Sequence, residues 1–292
     1  MMTQQSQTIT RKSASNLALA FILLPKAKRN AMSALYAFCR EVDDVADEET
    51  RPVEDRRADL AAWREDIRLA CAGGSPKFTV NRELQPVIVE YKLPYIYFDE
   101  LIQGVEMDLD INRYKTYEEL ELYCYRVASV VGLLSIEIFG YRNQECRPYA
   151  IALGKALQLT NILRDVRGDA ERGRIYLPLS ELERYKVSPE EILSLKYSER
   201  YEQLASSVAA RAKAFYAEAA RILPKVDRRS MIAAELMGSV YWRLLMELEN
   251  RNFNVFNGVP VRLNRGQKLA LIFRTWTRLS LGAASPNYGC RH

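Results

Sequence analysis

The chain has 292 residues, 48% hydrophobic and 27% charged, an ordinary balance for a soluble globular protein able to bury a large core. Its net charge is +5, from 42 Lys and Arg against 37 Asp and Glu, and its one histidine, His292, is the last residue. Ser-His-Asp or Cys-His catalysis and His-ligated zinc need an imidazole held inside a fold and are disfavoured; chemistry built on carboxylates, tyrosines and arginines stays open.

Residues 1–15 are polar and read as a flexible segment. The apolar stretch 17–24 follows Arg11 and Lys12 and imitates a signal peptide. It is too short to cross a bilayer, it runs into Pro25 and the basic Lys26, Lys28 and Arg29, and its small residues Ala18 and Ala20 precede most of the apolar run. No other stretch approaches a transmembrane span on this reading. Helical periodicity then dominates, predicting helices over 28–48, 54–72, 81–91, 95–110, 117–139 and 145–168. Further helices are expected over 180–184, 189–195, 198–222, 228–250 and 265–280, with breaks at glycines and prolines such as Gly73-Gly74, Gly140, Gly173 and Pro224. A chain this long suggests about two domains, but no linker, repeat or β-rich block divides it. The expectation is one all-α domain over 16–282 and a tail over 283–292. Five cysteines without a C-x-x-C pair point to a reducing cytosol.

The charge is unevenly placed. From Arg251 onward there are seven Lys or Arg and no acid, and Leu269, Phe273, Trp276 and Leu279 alternate with Lys268, Arg274 and Arg278 at helical spacing. That composition suits either a helix lying on an anionic membrane surface or a C-terminal helix packed on the body with a solvated basic face. No nucleic-acid motif accompanies it.

Two polar stripes carry the chemical signal. Tyr36, Arg40, Asp43 and Asp47 step by four, three and four and share one helix face, with Asp43 and Asp47 one turn apart. Carboxylate oxygens so placed suit a hard cation such as Mg²⁺, which commonly bridges to a substrate phosphate, and Arg40 suits a bidentate phosphate contact. Gln158, Asn161, Asp165 and Asp169 step by three, four and four among Leu157, Leu159, Ile162, Leu163 and Val166. Polar groups on an otherwise apolar helix imply a buried polar site. Two such stripes facing each other would gather four carboxylates around one cavity, and these stay ionised cheaply only beside compensating cations.

At these residues the sequence resembles the squalene/phytoene synthase family of head-to-head prenyl transferases. The resemblance spans about 13–275 and includes Leu23-Leu24-Pro25, the block 34–48, 104–108 ending in Asp108, 123–128 with Gly132, 158–169, 173–178, Tyr241 and Val255-Phe256. It implies an all-α isoprenoid synthase fold with a central active-site cavity. It also implies that Asp43, Asp47, Asp165 and Asp169, assisted by Asn161, bind the Mg²⁺ (or Mn²⁺) that holds two prenyl diphosphates. Arg40, Arg164 and Tyr36 would contact diphosphate oxygens, and Gln158, Tyr123, Tyr241, Val127, Ala128, Val131 and Gly132 would line the cavity. The block 34–48 looks most like bacterial presqualene diphosphate synthases, which join two farnesyl diphosphates on the way to squalene or hopanoids. The resemblance also admits phytoene synthases acting on geranylgeranyl diphosphate, and it leaves NADPH use open.

In the reaction so implied, one substrate loses its diphosphate to give an allylic cation, the C2–C3 alkene of the other attacks it, and proton loss closes a cyclopropane. The departing diphosphate serves as base, so the missing histidine is no obstacle. The sequence departs from the family at Leu17 and Leu19, where relatives carry an aromatic, and after Val255-Phe256, where Asn257-Gly258 stands in place of an arginine and Arg262 follows four residues on from Gly258. Asp43-Asp44-Val45-Ala46-Asp47 also fits chain-elongating prenyl synthases, but 165–169 lacks their adjacent aspartate pair. A reading of another class, an inactive relative serving as a membrane-surface assembly protein, is disfavoured by the four intact aspartates. The expected location is the cytoplasm, with peripheral contact at the inner face of the membrane; no pattern specifies an oligomeric state.

Overall fold

With so few helix breakers, the chain spends most of its length in helices. The computed structural model describes residues 5–12, 20–280 and 288–289. Its elements are α1 (Gln5–Lys12), a 3₁₀ turn (Phe21–Leu23), α2 (Lys26–Asp47), α3 (Val53–Cys71), α4 (Thr79–Tyr91), α5 (Tyr95–Asp110) and α6 (Tyr117–Cys124). A π turn (Tyr125–Ser129) leads into α7 (Val130–Phe139), α8 (Cys146–Glu171), α9 (Leu179–Arg184), α10 (Pro189–Leu193), α11 (Glu199–Ile222), α12 (Ile232–Asn250) and α13 (Arg265–Ser280). Among the described residues there is no sheet, and one parallel bridge between Arg113 and Ile175 joins the chain after α5 to the turn after α8.

The helix α8 is the axis of the fold. It is buried on most of its circumference, through residues such as Tyr149, Leu153, Ala156, Leu159, Ile162 and Val166, as a helix apolar nearly all round must be. It runs past the expected end at 168, because an interior glycine such as Gly168 costs only about 1 kcal/mol, and it stops at Arg172-Gly173, where Gly173 takes φ +75. On α2, Ala31, Leu35, Phe38, Val42 and Ala46 are buried at three- and four-residue spacing, which turns the Tyr36–Asp47 stripe to the opposite side.

Three expectations change. Within 1–15, expected to be flexible, Gln5–Lys12 is a helix, with the backbone N–H of Gln5 and Ser6 donating to the Glu83 carboxylate at 2.8 and 2.9 Å. Such acceptors satisfy the donors a helix N-terminus leaves open. Second, 117–139 is long and apolar enough to cross a membrane, but more than half of it is buried in the protein and it serves as a core element. Third, that same run is not uniform, since it opens into the π turn at 125–129. Leu17, Leu19 and, except for Tyr288 and Gly289, the tail 283–292 lie outside the described residues.

The π turn is clasped by two glycines. A Cβ on Gly154 of α8 would stand 2.6 Å from Ser129 Cα, and one on Gly104 of α5 would stand 2.7 Å from Arg126 Cβ. Ser129 Oγ donates to Ile151 O of α8 at 2.9 Å. Turns of this kind widen a helix and re-aim its side chains. Gly154→Ala meets backbone that cannot yield, so it is expected to cost about 1–3 kcal/mol by overpacking, read as a lowered midpoint in urea unfolding.

Candidate active site

Five aspartates meet where three helices end. Asp43 and Asp47 lie in the last turns of α2, Asp108 in the last turn of α5, and Asp165 and Asp169 near the end of α8. None of these helices has a basic residue in its last turn, where the negative end of the helix dipole favours one. Burial, then the neighbouring Asp47, pushes the Asp43 carboxyl up to about 7, against the pull of Arg40, and Asp108 raises it further. Burial, then Asp165, pushes Asp169 up to about 7, partly offset by Arg172 and Arg174, with Asp108 again raising it. Asp108 is felt by both stripes, so they face a common cleft. Its own carboxyl, pushed up to about 6 by burial, is held by Tyr176 OH donating to Oδ1 at 2.7 Å and Tyr123 OH donating to Oδ2 at 3.0 Å. Arg172 and Arg174, on the turn after α8, each reach Asp47 at 3.6 Å and tie the stripes together.

The donors fit a hard divalent cation shared with a substrate. Among the described residues no three acidic, Cys or His side chains converge closely enough to hold a metal alone. Mg²⁺ is commonly bound by one or two carboxylates with the rest of its oxygens from phosphates and water. Asn161 Oδ1, on the α8 stripe, is buried without a hydrogen-bond partner, and such an orphaned oxygen is costly unless a ligand engages it.

Two spaces lie along α8. One is an apolar cavity of ≈ 100 Å³ lined by Phe21, Met32, Val131, Gly132, Leu157 and Met237, among others. Its polar side chains are turned away: Ser135 Oγ donates to Val131 O at 2.7 Å and Tyr149 OH to Glu235 Oε1 at 2.9 Å. The other is a polar cleft walled by Asp165 and Asp169 together with Arg164, Arg167, Arg262 and Lys268. Arg164 forks onto Asp165 at 2.8 and 2.6 Å. Arg167 donates to Phe256 O at 2.6 Å, and Gly258, at φ +76 where glycine is favoured, lets the turn lie close over the guanidinium, a Cβ there standing 2.8 Å from Nη1. Arg262 thus reaches the cleft by way of that turn.

Ala128, Val131 and Gly132 line the apolar cavity, and Tyr241 and Arg164 line the cleft. Tyr36 packs edge-on against Phe21 of the cavity wall at 6.4 Å. Val127 instead faces Gly104 of α5, because the π turn rotates it there. Gln158 Oε1 accepts from Asn161 Nδ2 at 3.4 Å, and Arg40 is engaged by Asp43 and Asp44 of its own helix. Tyr123 is buried beside Tyr176, with ring centroids 5.2 Å apart, and its hydroxyl is spent on Asp108, so it acts as a positioning residue. Asp108, Tyr176, Arg172 and Arg174 are site residues that the two-stripe pattern does not single out. For Asp108, Arg174 and Tyr176 the signal lay in the blocks 104–108 and 173–178, whereas Arg172 stands just outside the second block.

With pKa values raised above the ordinary carboxyl range of 3.8, the folded state binds more protons than the unfolded chain up to about pH 7. These groups therefore cost stability as pH rises through that window. Asp169→Asn removes one such charge. In chelator-treated protein its gain in melting temperature over wild type is expected to be larger at about pH 8 than at about pH 5; an equal gain at both would show that charge crowding is not its source.

The comparisons with known proteins agree with this geometry. The squalene/phytoene synthase family profile matches residues 10–267. A presqualene diphosphate synthase of Rhodopseudomonas palustris is 36% identical over 261 residues, covering 89% of this chain and 92% of the relative. A 15-cis-phytoene synthase of Synechococcus elongatus is 35% identical over 267 residues, covering 87% of this chain and 85% of the relative. Among solved structures, a dehydrosqualene synthase in complex with ligand superposes with a TM-score of 0.85 at 28% identity, over 94% of this chain and 95% of that one. Matched in sequence and in fold over most of its length, the chain belongs to the squalene/phytoene synthase family, prenyltransferases that condense prenyl diphosphates head to head.

Proposed function

We propose that the protein condenses two farnesyl diphosphates to presqualene diphosphate, a precursor of squalene and hopanoids. The observation that carries this reading is that α8 lines both a carboxylate-bearing, arginine-walled cleft, through Arg164, Asp165 and Asp169, and an apolar cavity farther toward its start, through Leu157, Gly154 and Leu153. Asp43, Asp47, Asp165, Asp169 and Asn161 would hold Mg²⁺ (or Mn²⁺), which when bound neutralises charge on the departing diphosphate. Arg164, Arg262 and Lys268 bind diphosphate oxygens from the cleft wall. Tyr123 and Tyr176 fix Asp108 so that the carboxylates keep their places. Phe21, Met32 and Met237 exclude water from the allylic cation, and Ser135 and Tyr149, already hydrogen-bonded, offer it no free hydroxyl.

Phytoene synthesis from two geranylgeranyl diphosphates is the second reading, favoured by the near-equal identity to the Synechococcus relative. Product analysis decides between them. With Mg²⁺ and farnesyl diphosphate, a C30 cyclopropyl diphosphate is expected without NADPH, and Asp43→Asn or Asp165→Asn should abolish it while leaving the helical circular dichroism unchanged. Squalene formed only with NADPH would add a reductive half-reaction. A C40 polyene from geranylgeranyl diphosphate would move the protein to carotenoid synthesis, and no product from either would restore the assembly-protein reading.

We further propose that the protein works in the cytoplasm, in peripheral contact with the inner face of the membrane through α13. Leu271 and Ile272 of that helix pack against the body, while Leu269, Phe273 and Trp276, spaced by four and three, are 65%, 67% and 52% exposed. Exposed Trp, Phe and Leu flanked by Lys268 and Arg274 suit insertion at an anionic interface. Phe273→Ser with Trp276→Ser is expected to abolish co-sedimentation with anionic vesicles while sparing turnover of detergent-dispersed substrate; unchanged sedimentation would remove the membrane role.

A further inference from the structure

The cavity wall contains a buried carboxylate that the reaction does not use. Glu235 on α12 is buried, and its Oε1 accepts from Tyr149 OH at 2.9 Å and from Tyr288 OH. Burial raises its pKa, and the two phenols with Arg228 and Arg278 act against that rise. Tyr149 lines the apolar cavity, as do Ala233, Ala234 and Met237 beside Glu235 on α12. Tyr288 is thus one layer behind the wall. Its fit there is close: a Cβ at Gly238 would stand 2.5 Å from Tyr288 Cε1. Gly289 follows at φ +77, where a Cβ would stand 2.9 Å from Tyr216 O, and the Tyr216 ring is 5.8 Å from that of Tyr288.

The position of this wall along the cavity matters. On α8 the cleft residues Asp169 and Asp165 are followed, toward the start of the helix, by the cavity residues Leu157, Gly154, Leu153 and Tyr149. At ~1.5 Å rise per residue, Tyr149 lies ~24 Å along the axis from Asp165. A prenyl diphosphate with its phosphates at the aspartates directs the tail of its chain toward Tyr149.

We propose that Tyr288 is a specificity-determining residue: brought back from the tail, it braces the Tyr149–Glu235 wall and sets the length of prenyl chain the cavity accepts, resting on the reading of that cavity as the prenyl pocket. With the ring in place Tyr149 cannot swing outward, and the far end stays closed to an additional isoprene unit. With the ring gone, Tyr149 and the space behind it become available to a longer chain.

The test uses the full-length protein with Mg²⁺ and the unreactive thiolo-diphosphate analogues of farnesyl and geranylgeranyl diphosphate, binding being measured by calorimetry. Tyr288→Ala removes the ring, and Gly238→Ala evicts it without touching a cavity side chain or the Glu235 hydrogen bonds of Tyr149. Both are expected to shift the ratio of the two Kd values toward the longer analogue by about tenfold or more, the scale of small changes in apolar pocket size. Tyr288→Phe keeps the ring and should hold the wild-type ratio. Equal weakening of both analogues in Tyr288→Ala and Gly238→Ala would reduce Tyr288 to a structural role and overturn the proposal. Failure of the wild type to bind either analogue would instead overturn the prenyl-pocket reading, and the proposal with it.

Discussion

Negative charge is gathered in this protein where helices tolerate it least. The C-terminal ends of α2, α5 and α8 converge, and in place of lysine or arginine their last turns present Asp43, Asp47, Asp108 and Asp169. Much of the surrounding structure answers that convergence. Arg172 and Arg174 cross from the end of α8 to Asp47, and two phenols hold Asp108 between the stripes. What these contacts leave uncompensated is a demand for cations, which the proposed Mg²⁺ would supply, with diphosphate and water completing its oxygens in place of a closed protein cage.

The same three-dimensional order separates the polar and apolar halves of the chemistry. Along α2 the lining passes from Met32 to Asp43, along α8 from Tyr149 to Asp169, and along α12 from Met237 to Tyr241. Each helix therefore carries an amphiphile's profile along its axis as well as around it. The π turn lies between the halves and, by pressing Ser129 against Gly154, sends Ala128, Val131 and Gly132 to the apolar side.

Much of the fold and the centre of the site are legible in the sequence, for reasons that particular residues show. The helices follow from periodicity and from scarce breakers, and the stripes of α2 and α8 follow from three- and four-residue spacing among apolar neighbours. Asp108 is harder to read because it is one of five acids on α5, singled out only by elements distant in sequence. The π turn leaves no mark on periodicity, since its cause is close backbone approach by Gly104 and Gly154 from other helices. Helix α1 is missed because its polar residues look unattached until Glu83 is placed at its start. Arg262 is read as a departure in spacing, whereas the turn over Arg167 brings it to the cleft.

The return of Tyr288 to Glu235 has a consequence for how the protein is made. A ribosome releases the chain N-terminus first, at ~5–20 residues per second, so α2, α5 and α8 are available to pack while residue 288 is still unsynthesised or within the exit tunnel. During that interval Glu235 lacks one of its two phenol donors, and a buried carboxylate short of a partner is destabilising. The wall is thus completed only after residue 288 has emerged from the ribosome. Until then the apolar interior of the nascent chain lacks the ring that backs Tyr149 and Gly238.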